Sequence, residues 1–233
     1  MPTKKSKTIL GIDPGTNVTG YGIIEVCGKT MHCVVLGIID LHRISDPYAK
    51  LRHIFDRVCA LIDEYRPDEV ALESPFFGQN VDMGVITQEE FDAFEKRFRQ
   101  QMGARHKFDP MDWRRRLSLV RISLVSIAAA LSKGCPVAEY APRRIKQAIT
   151  GQGGASKEQV AAILKNMLKL DELPKRLDAT DGLAVAVCHH FQCSVIASID
   201  TSPLKKALGG GRFGSKSWAE FIASNPSRVK GDK

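Results

Sequence analysis

Thr8-Ile9-Leu10-Gly11-Ile12-Asp13-Pro14-Gly15-Thr16 is an apolar run that ends on a carboxylate and a turn. The run reads as a buried strand, and Pro14-Gly15 reverses the chain behind it. Two further β-branched runs follow, Thr19 to Val26 and Met31 to Leu41, separated by Cys27-Gly28-Lys29-Thr30. They predict two antiparallel strands joined by a hairpin. The period then changes. Leu51, Ile54, Phe55, Val58, Leu61, Ile62 and Tyr65 fall at helical spacing until Pro67 stops them. Glu69-Val70-Ala71-Leu72-Glu73 predicts a short buried strand, again closed by an acid. A helix is expected from about Arg114 to Lys133, a strand from Pro136 to Ala141, and a helix from the capping box Ser156-Lys157-Glu158-Gln159 to about Leu170. Asp178-Ala179-Thr180-Asp181 opens a last core helix. The order predicts an α/β fold, a mixed five-stranded sheet with helices on its faces.

The 233 residues suit one domain with appendages, here residues 1–200 followed by a basic tail, 201–233, holding Gly209-Gly210-Gly211 and a short capped helix from Ser217. With 43% hydrophobic and 26% charged residues, the chain is neither disordered nor collagenous. No apolar run approaches the ~20 residues of a membrane span, and the charged start breaks into Asp13-Pro14-Gly15 too soon for a signal peptide. A cytoplasmic protein with reduced thiols is expected. Cys188-His189-His190-Phe191-Gln192-Cys193 has zinc-ligating residue types, but nothing in the sequence completes a four-ligand site, so the expected role is a helix end with small apolar cysteines. The net charge of +8 resides in the two ends, which suits a polyanion such as nucleic acid.

Four acids stand out by position. Asp13 and Glu73 end buried strands, and Asp178 and Asp181, three apart, share one face at a helix start. Such acids are badly solvated unless something pairs with them. A pair of hard divalent cations, Mg²⁺ or Mn²⁺, would relieve their repulsion and could act on a phosphodiester. Taken singly, Asp13 could instead accept amides of its turn and Asp178 could be a helix N-cap. Spacing does not decide whether the four meet.

Three stretches together carry a resemblance. Gly11-Ile12-Asp13-Pro14-Gly15-Thr16 with Thr19-Gly20-Tyr21-Gly22, then Ala71-Leu72-Glu73-Ser74-Pro75-Phe76-Phe77-Gly78-Gln79-Asn80, then Asp178-Ala179-Thr180-Asp181-Gly182-Leu183-Ala184, resemble the RuvC-type Holliday junction resolvases in the family's order. The likeness spans about residues 8–80 and 117–193. It implies an RNase H-like fold, a homodimer, four-way junction DNA as substrate, paired symmetric nicks, and a branch-migration motor as partner. It also implies that Asp13, Glu73, Asp178 and Asp181 bind metal, with two Mg²⁺ per subunit and Mn²⁺ as a substitute. Lys146 and Lys157 match the family's DNA-handling lysines, and Phe76 its aromatic beside the junction centre. Phe77 adds a second aromatic to that loop, able to stack on an opened base or to plug the loop from beneath. Residues 141–157, with Arg143, Arg144, Lys146 and Lys157 and no acid, read as a further DNA contact.

The resemblance breaks at an insertion of about thirty residues, 82–116. Asp82 to Glu95 holds five acids and no base, and Lys96 to Arg116 holds eight bases and two acids. Thr87-Gln88-Glu89-Glu90, followed by Phe91, Phe94, Phe98 and Met102, predicts a helix there. Arg114, Arg115 and Arg116 are expected to extend the DNA-binding surface, against a structural pairing of the two halves. Competing readings are an RNase H-like nuclease acting on RNA, an actin-like or sugar-kinase-like ATPase lobe, and a non-catalytic DNA-binding module. The ATPase architecture needs two such lobes, and the acids would weaken bare DNA binding.

Overall fold

The computed structural model describes residues 6–28, 30–74 and 110–198, with backbone alone for 110–116 and 195–198. Phe76, Phe77, the insertion helix expected at 87–102 and the tail 201–233 lie outside the described residues. Two compact units divide the chain, Met1–Cys193 and Ser194–Lys233.

Strand β1 (Lys7–Asp13) pairs antiparallel with β2 (Val18–Cys27), which pairs antiparallel with β3 (Thr30–Asp40). Strand β4 (Glu69–Glu73) runs parallel to β1 on its other side, and β5 (Val137–Tyr140) runs parallel to β4. The sheet order is therefore β3-β2-β1-β4-β5, the mixed five-stranded sheet expected from the sequence. In the outer hairpin the register shifts between Ile23 and Ile24, which pair with Val35 and Cys33. Val34 is left over as a bulge and is 47% exposed.

Alternation along the strands sorts the core into two layers. Leu10, Ile12, Ile23, Val70 and Leu72 meet Ile54, Val58 and Leu61 of helix α1 (Pro47–Tyr65), with Ile122, Ala129 and Ala130 of helix α2 (Pro110–Ser132). Ile9, Ile24, Val26 and Ala71 meet the other face, built from α3 (Pro142–Thr150), α4 (Lys157–Leu168) and α5 (Asp178–Ser198). Helix α1 starts where the Asp46 carboxylate accepts the Ala49 amide and ends at left-handed Arg66, just before Pro67. Helix α2 begins ahead of the expected Arg114, so Arg114, Arg115 and Arg116 are helical backbone.

Residues 141–157, expected as a basic DNA contact, are mostly helix. Pro142 occupies the first turn of α3, Ile145 and Ile149 are its buried face, and Gly151 closes it at φ +77°. Two isoleucines one turn apart are too short a pattern to reveal a helix among so many charges.

Helix α5 lies on the sheet with almost no side chain between. A Cβ on Gly11 would come within 2.2 Å of the Gly182 carbonyl oxygen, and one on Gly20 within 1.8 Å of the Asp178 carbonyl oxygen. Only glycine permits that approach. Gly20 is the register partner of Asp13, so the start of α5 is pressed down where β1 ends.

Candidate active site

Each acid reaches the site from a different backbone constraint. Ile12 and Leu72 are paired across β1 and β4, so Asp13 and Glu73 are the next residues out of two adjacent parallel strands. The turn after β1 is closed by Thr19, whose buried hydroxyl donates to the Gly15 carbonyl and accepts the Gly15 amide, both at 3.3 Å. The turn therefore does not need the Asp13 carboxylate. Asp178 and Asp181 occupy the first turn of α5, where the helix dipole favours negative charge.

Lys157 joins these elements. It is the first residue of α4, fixed by a complete capping box. There the Gln159 amide donates to Ser156 Oγ at 3.3 Å, and the Ser156 amide donates to Gln159 Oε1 at 2.9 Å. A cation at a helix N-terminus opposes the dipole, so its place is explained by what it faces. Its Nζ donates to Asp181 Oδ2 at 2.5 Å and lies 3.6 Å from Asp178 Oδ1. Asp13, Glu73, Asp181, Lys146 and Lys157 line one cavity of about 170 Å³, walled by Pro142, Ile145, Val160 and Ala184.

The electrostatics show a shortage of positive charge. Burial, then the carboxylates of Glu73 and Asp181, push Asp13 well above the usual carboxylate range. Burial and Asp181 raise Glu73 to about 7, although Lys157 and Lys146 pull the other way. Burial raises Asp181 too, against the Lys157 hydrogen bond. Burial alone would lower Lys157, but Asp181, Asp13 and Asp178 outweigh it and hold its ammonium above the ordinary value. Clustered oxygen donors that ionise reluctantly by themselves are a donor set suited to a hard divalent cation.

The other basic candidates diverge. Arg144 donates from Nη2 to Gln192 Oε1 at 2.5 Å on α5, and the Arg143 side chain lies over Gly153. Neither lines the carboxylate cavity, whereas Lys146 does. The side chains of Arg114, Arg115 and Arg116 lie outside the described residues. The glycine seat beneath α5 was visible in the sequence only as motif letters, because its role depends on contacts between residues far apart in the chain.

Comparison with known proteins follows the same outline. A family model described as crossover junction endodeoxyribonuclease RuvC matches residues 9–94 and 112–189. The protein of that name from Cytophaga hutchinsonii is 43% identical over 229 residues, covering 98% of this chain and 91% of the relative. The one from Bacteroides fragilis is 43% identical over 228 residues, covering 97% of each. Thermus thermophilus RuvC superposes with a TM-score of 0.59 at 25% identity, over 81% of this chain and 96% of that one. Its structure in complex with a Holliday junction substrate gives 0.62 at 24% identity, with the same coverage.

Proposed function

The chain belongs to the RuvC family of crossover junction endodeoxyribonucleases, and we propose that the cavity of Asp13, Glu73, Asp181, Lys146 and Lys157 is where it cuts DNA. The protein is a metal-dependent endonuclease of four-way DNA junctions, which sets aside the RNA-directed nuclease, ATPase and non-catalytic readings. The observation that supports this site is the meeting of three carboxylates from β1, β4 and α5 beside two lysines in one cavity, with Asp178 joined to it through Lys157.

Asp13, Glu73, Asp178 and Asp181 would hold the metal, which we take to be two Mg²⁺ per subunit with Mn²⁺ able to replace them. When bound, such ions supply Lewis-acid charge at a phosphodiester and lower the pKa of a water. The residues of the chain supply the rest. Pro142, Ile145, Val160 and Ala184 give the cavity an apolar wall, in which each charge counts for more than in open water. Lys146 and Lys157 place two ammonium groups where negative charge develops on the phosphate. Hydrolysis forms a bond from the water oxygen to phosphorus and breaks the bond to the 3′ oxygen, which leaves with a proton. The products are a 5′-phosphate and a 3′-hydroxyl.

Paired nicks need two such cavities, so the working unit is a homodimer. Leu124, Ala128 and Leu131 form an exposed apolar stripe on α2, with Leu124 44% and Leu131 60% exposed, and this supports that helix as the contact. Phe76 and Phe77 would meet the junction centre, and Arg114 to Arg116 together with Arg143 and Arg144 would follow its arms. A branch-migration motor is the expected partner. Among the described residues no helix is long and apolar enough to cross a membrane, and all six cysteines are free thiols, which suits a cytoplasmic location.

The test is to incubate the protein with a synthetic four-way junction, a duplex and an RNA–DNA hybrid, with and without Mg²⁺. Symmetric cleavage of the junction alone, dependent on the ion, is the expected result. Preferential cutting of the hybrid would overturn the reading.

A further inference from the structure

At the opposite end of β4 from Glu73, the structure gathers a second and chemically different set of donors. Glu69 opens the strand, four residues and so about 13 Å before Glu73. His189 and Cys193 are four apart on α5 and share one face of it. His189 is only 5% exposed. Its Nε2 is hydrogen-bonded to Glu69 Oε2 and lies 3.7 Å from Cys193 Sγ, while its Nδ1 is held 2.7 Å from the Tyr140 hydroxyl. One ligand atom from each of Glu69, His189 and Cys193 lies within 4.8 Å of the others.

We propose that Glu69, His189 and Cys193 form a second metal site, separate from the carboxylate cavity, that takes Zn²⁺ or a similar borderline-soft divalent cation. The donor types decide the class. The carboxylate cavity offers oxygen alone, as Mg²⁺ prefers, whereas one sulfur, one imidazole nitrogen and one carboxylate oxygen suit zinc. The spacing agrees. Zinc–ligand bonds of about 2.3 Å to sulfur and 2.0–2.1 Å to nitrogen put the two donors of a tetrahedron roughly 3.5 Å apart, close to the 3.7 Å between Sγ and Nε2.

Of the two remaining edges, Sγ to the Glu69 oxygen lies within 4.8 Å, and Nε2 to Oε2 is closed by a shared hydrogen. Opening it asks Glu69 to swing outward by less than about 1 Å to reach a tetrahedral edge, and its side chain is partly exposed at the strand start. Lys7 contacts the same carboxylate at 2.7 Å. Tyr140 occupies the place of the outer partner that orients a metal-bound imidazole. On binding, the Cys193 thiol gives up its proton, and the imidazole takes the tautomer in which Nδ1–H donates to Tyr140.

The test uses the full chain, stripped with chelator and then saturated with Mg²⁺ to occupy the oxygen site. Co²⁺ is titrated as the probe. The expected result is a near-ultraviolet sulfur-to-cobalt band with visible tetrahedral bands, lost in Cys193→Ser and kept in Cys27→Ser. Tyr140→Phe should weaken Co²⁺ binding roughly 10–100-fold. Zn²⁺ should displace the cobalt and raise the melting temperature of the wild type but not of Cys193→Ser. No sulfur band, a band that survives Cys193→Ser, or equal zinc effects on both proteins would overturn the proposal. Junction cleavage by the Mg²⁺-loaded wild type is a separate readout, so failure of this site and failure of the nuclease site are told apart.

Discussion

Gly20 lies directly beneath the Asp178 carbonyl, so close that a Cβ on Gly20 would stand 1.8 Å from that oxygen. Gly20 is also the register partner of Asp13. One residue without a side chain thus brings the acid from β1 and the acids from α5 to the same place. Gly20→Ala must lift the start of α5. It should cost about 1–3 kcal/mol as an overpacked contact and reduce junction cleavage by more than that loss of folded protein explains. A melting curve and a cleavage assay on the same preparation check it. Full activity in a well-folded variant would mean that α5 is free to shift.

Asp13→Asn should abolish cleavage and leave junction binding intact or tighter. It removes the charge of a proposed metal ligand while keeping the shape, and less negative charge near DNA favours association. Gel-shift and cleavage measurements on one junction separate the two effects.

Without metal, stability should fall as the solution is made more alkaline through the neutral range. Glu73 is raised in the folded protein to about 7 from its ordinary 4.5. Between those values the folded state holds a proton that the unfolded state has lost, so its stabilising contribution is complete below 4.5 and gone above about 7. The swing is on the order of 3 kcal/mol. Melting in chelator at pH 5 and pH 8 should show it, Glu73→Gln should flatten it, and Mg²⁺ should restore the alkaline side.

Lys157→Ala should lower the cleavage rate at saturating protein more than it lowers affinity, because its ammonium sits on Asp181 and Asp178. Lys146→Ala, in the lining of the same cavity, should do likewise. Wild-type rates in both variants would leave these lysines as ordinary solvated side chains.

Leu124→Asp and Leu131→Asp should convert a dimer to a monomer, read by sedimentation, with little change in melting temperature because both side chains are exposed in the single chain. Loss of paired nicking with retention of single nicks would accompany it. An unchanged dimer would move the contact off this stripe.

How much of this could be read from the chain depended on distance along it. Asp13 and Glu73 were legible because each ends an apolar run, and Asp178 and Asp181 because three residues make a helical face. Lys157 was locatable through its capping box. Their meeting was not legible, since it rests on Gly11, Gly20 and Gly182 letting α5 approach the sheet. Helix α3 was missed because Ile145 and Ile149 are its only buried apolar marks. The Glu69–His189 pair spans 120 positions, and neither residue's neighbours point to the other.

The bulge at Val34 bears on how this molecule avoids its own copies. Among the described residues, strand β3 is an edge of eleven residues, long enough to template another strand. A protein proposed to pair with its own copy through one helix is exposed to association through the wrong surface. The extra residue twists the edge and breaks the spacing of its unpaired amides, so an incoming strand cannot stay in step past it. The irregularity in the outer hairpin thus serves as protection against aggregation.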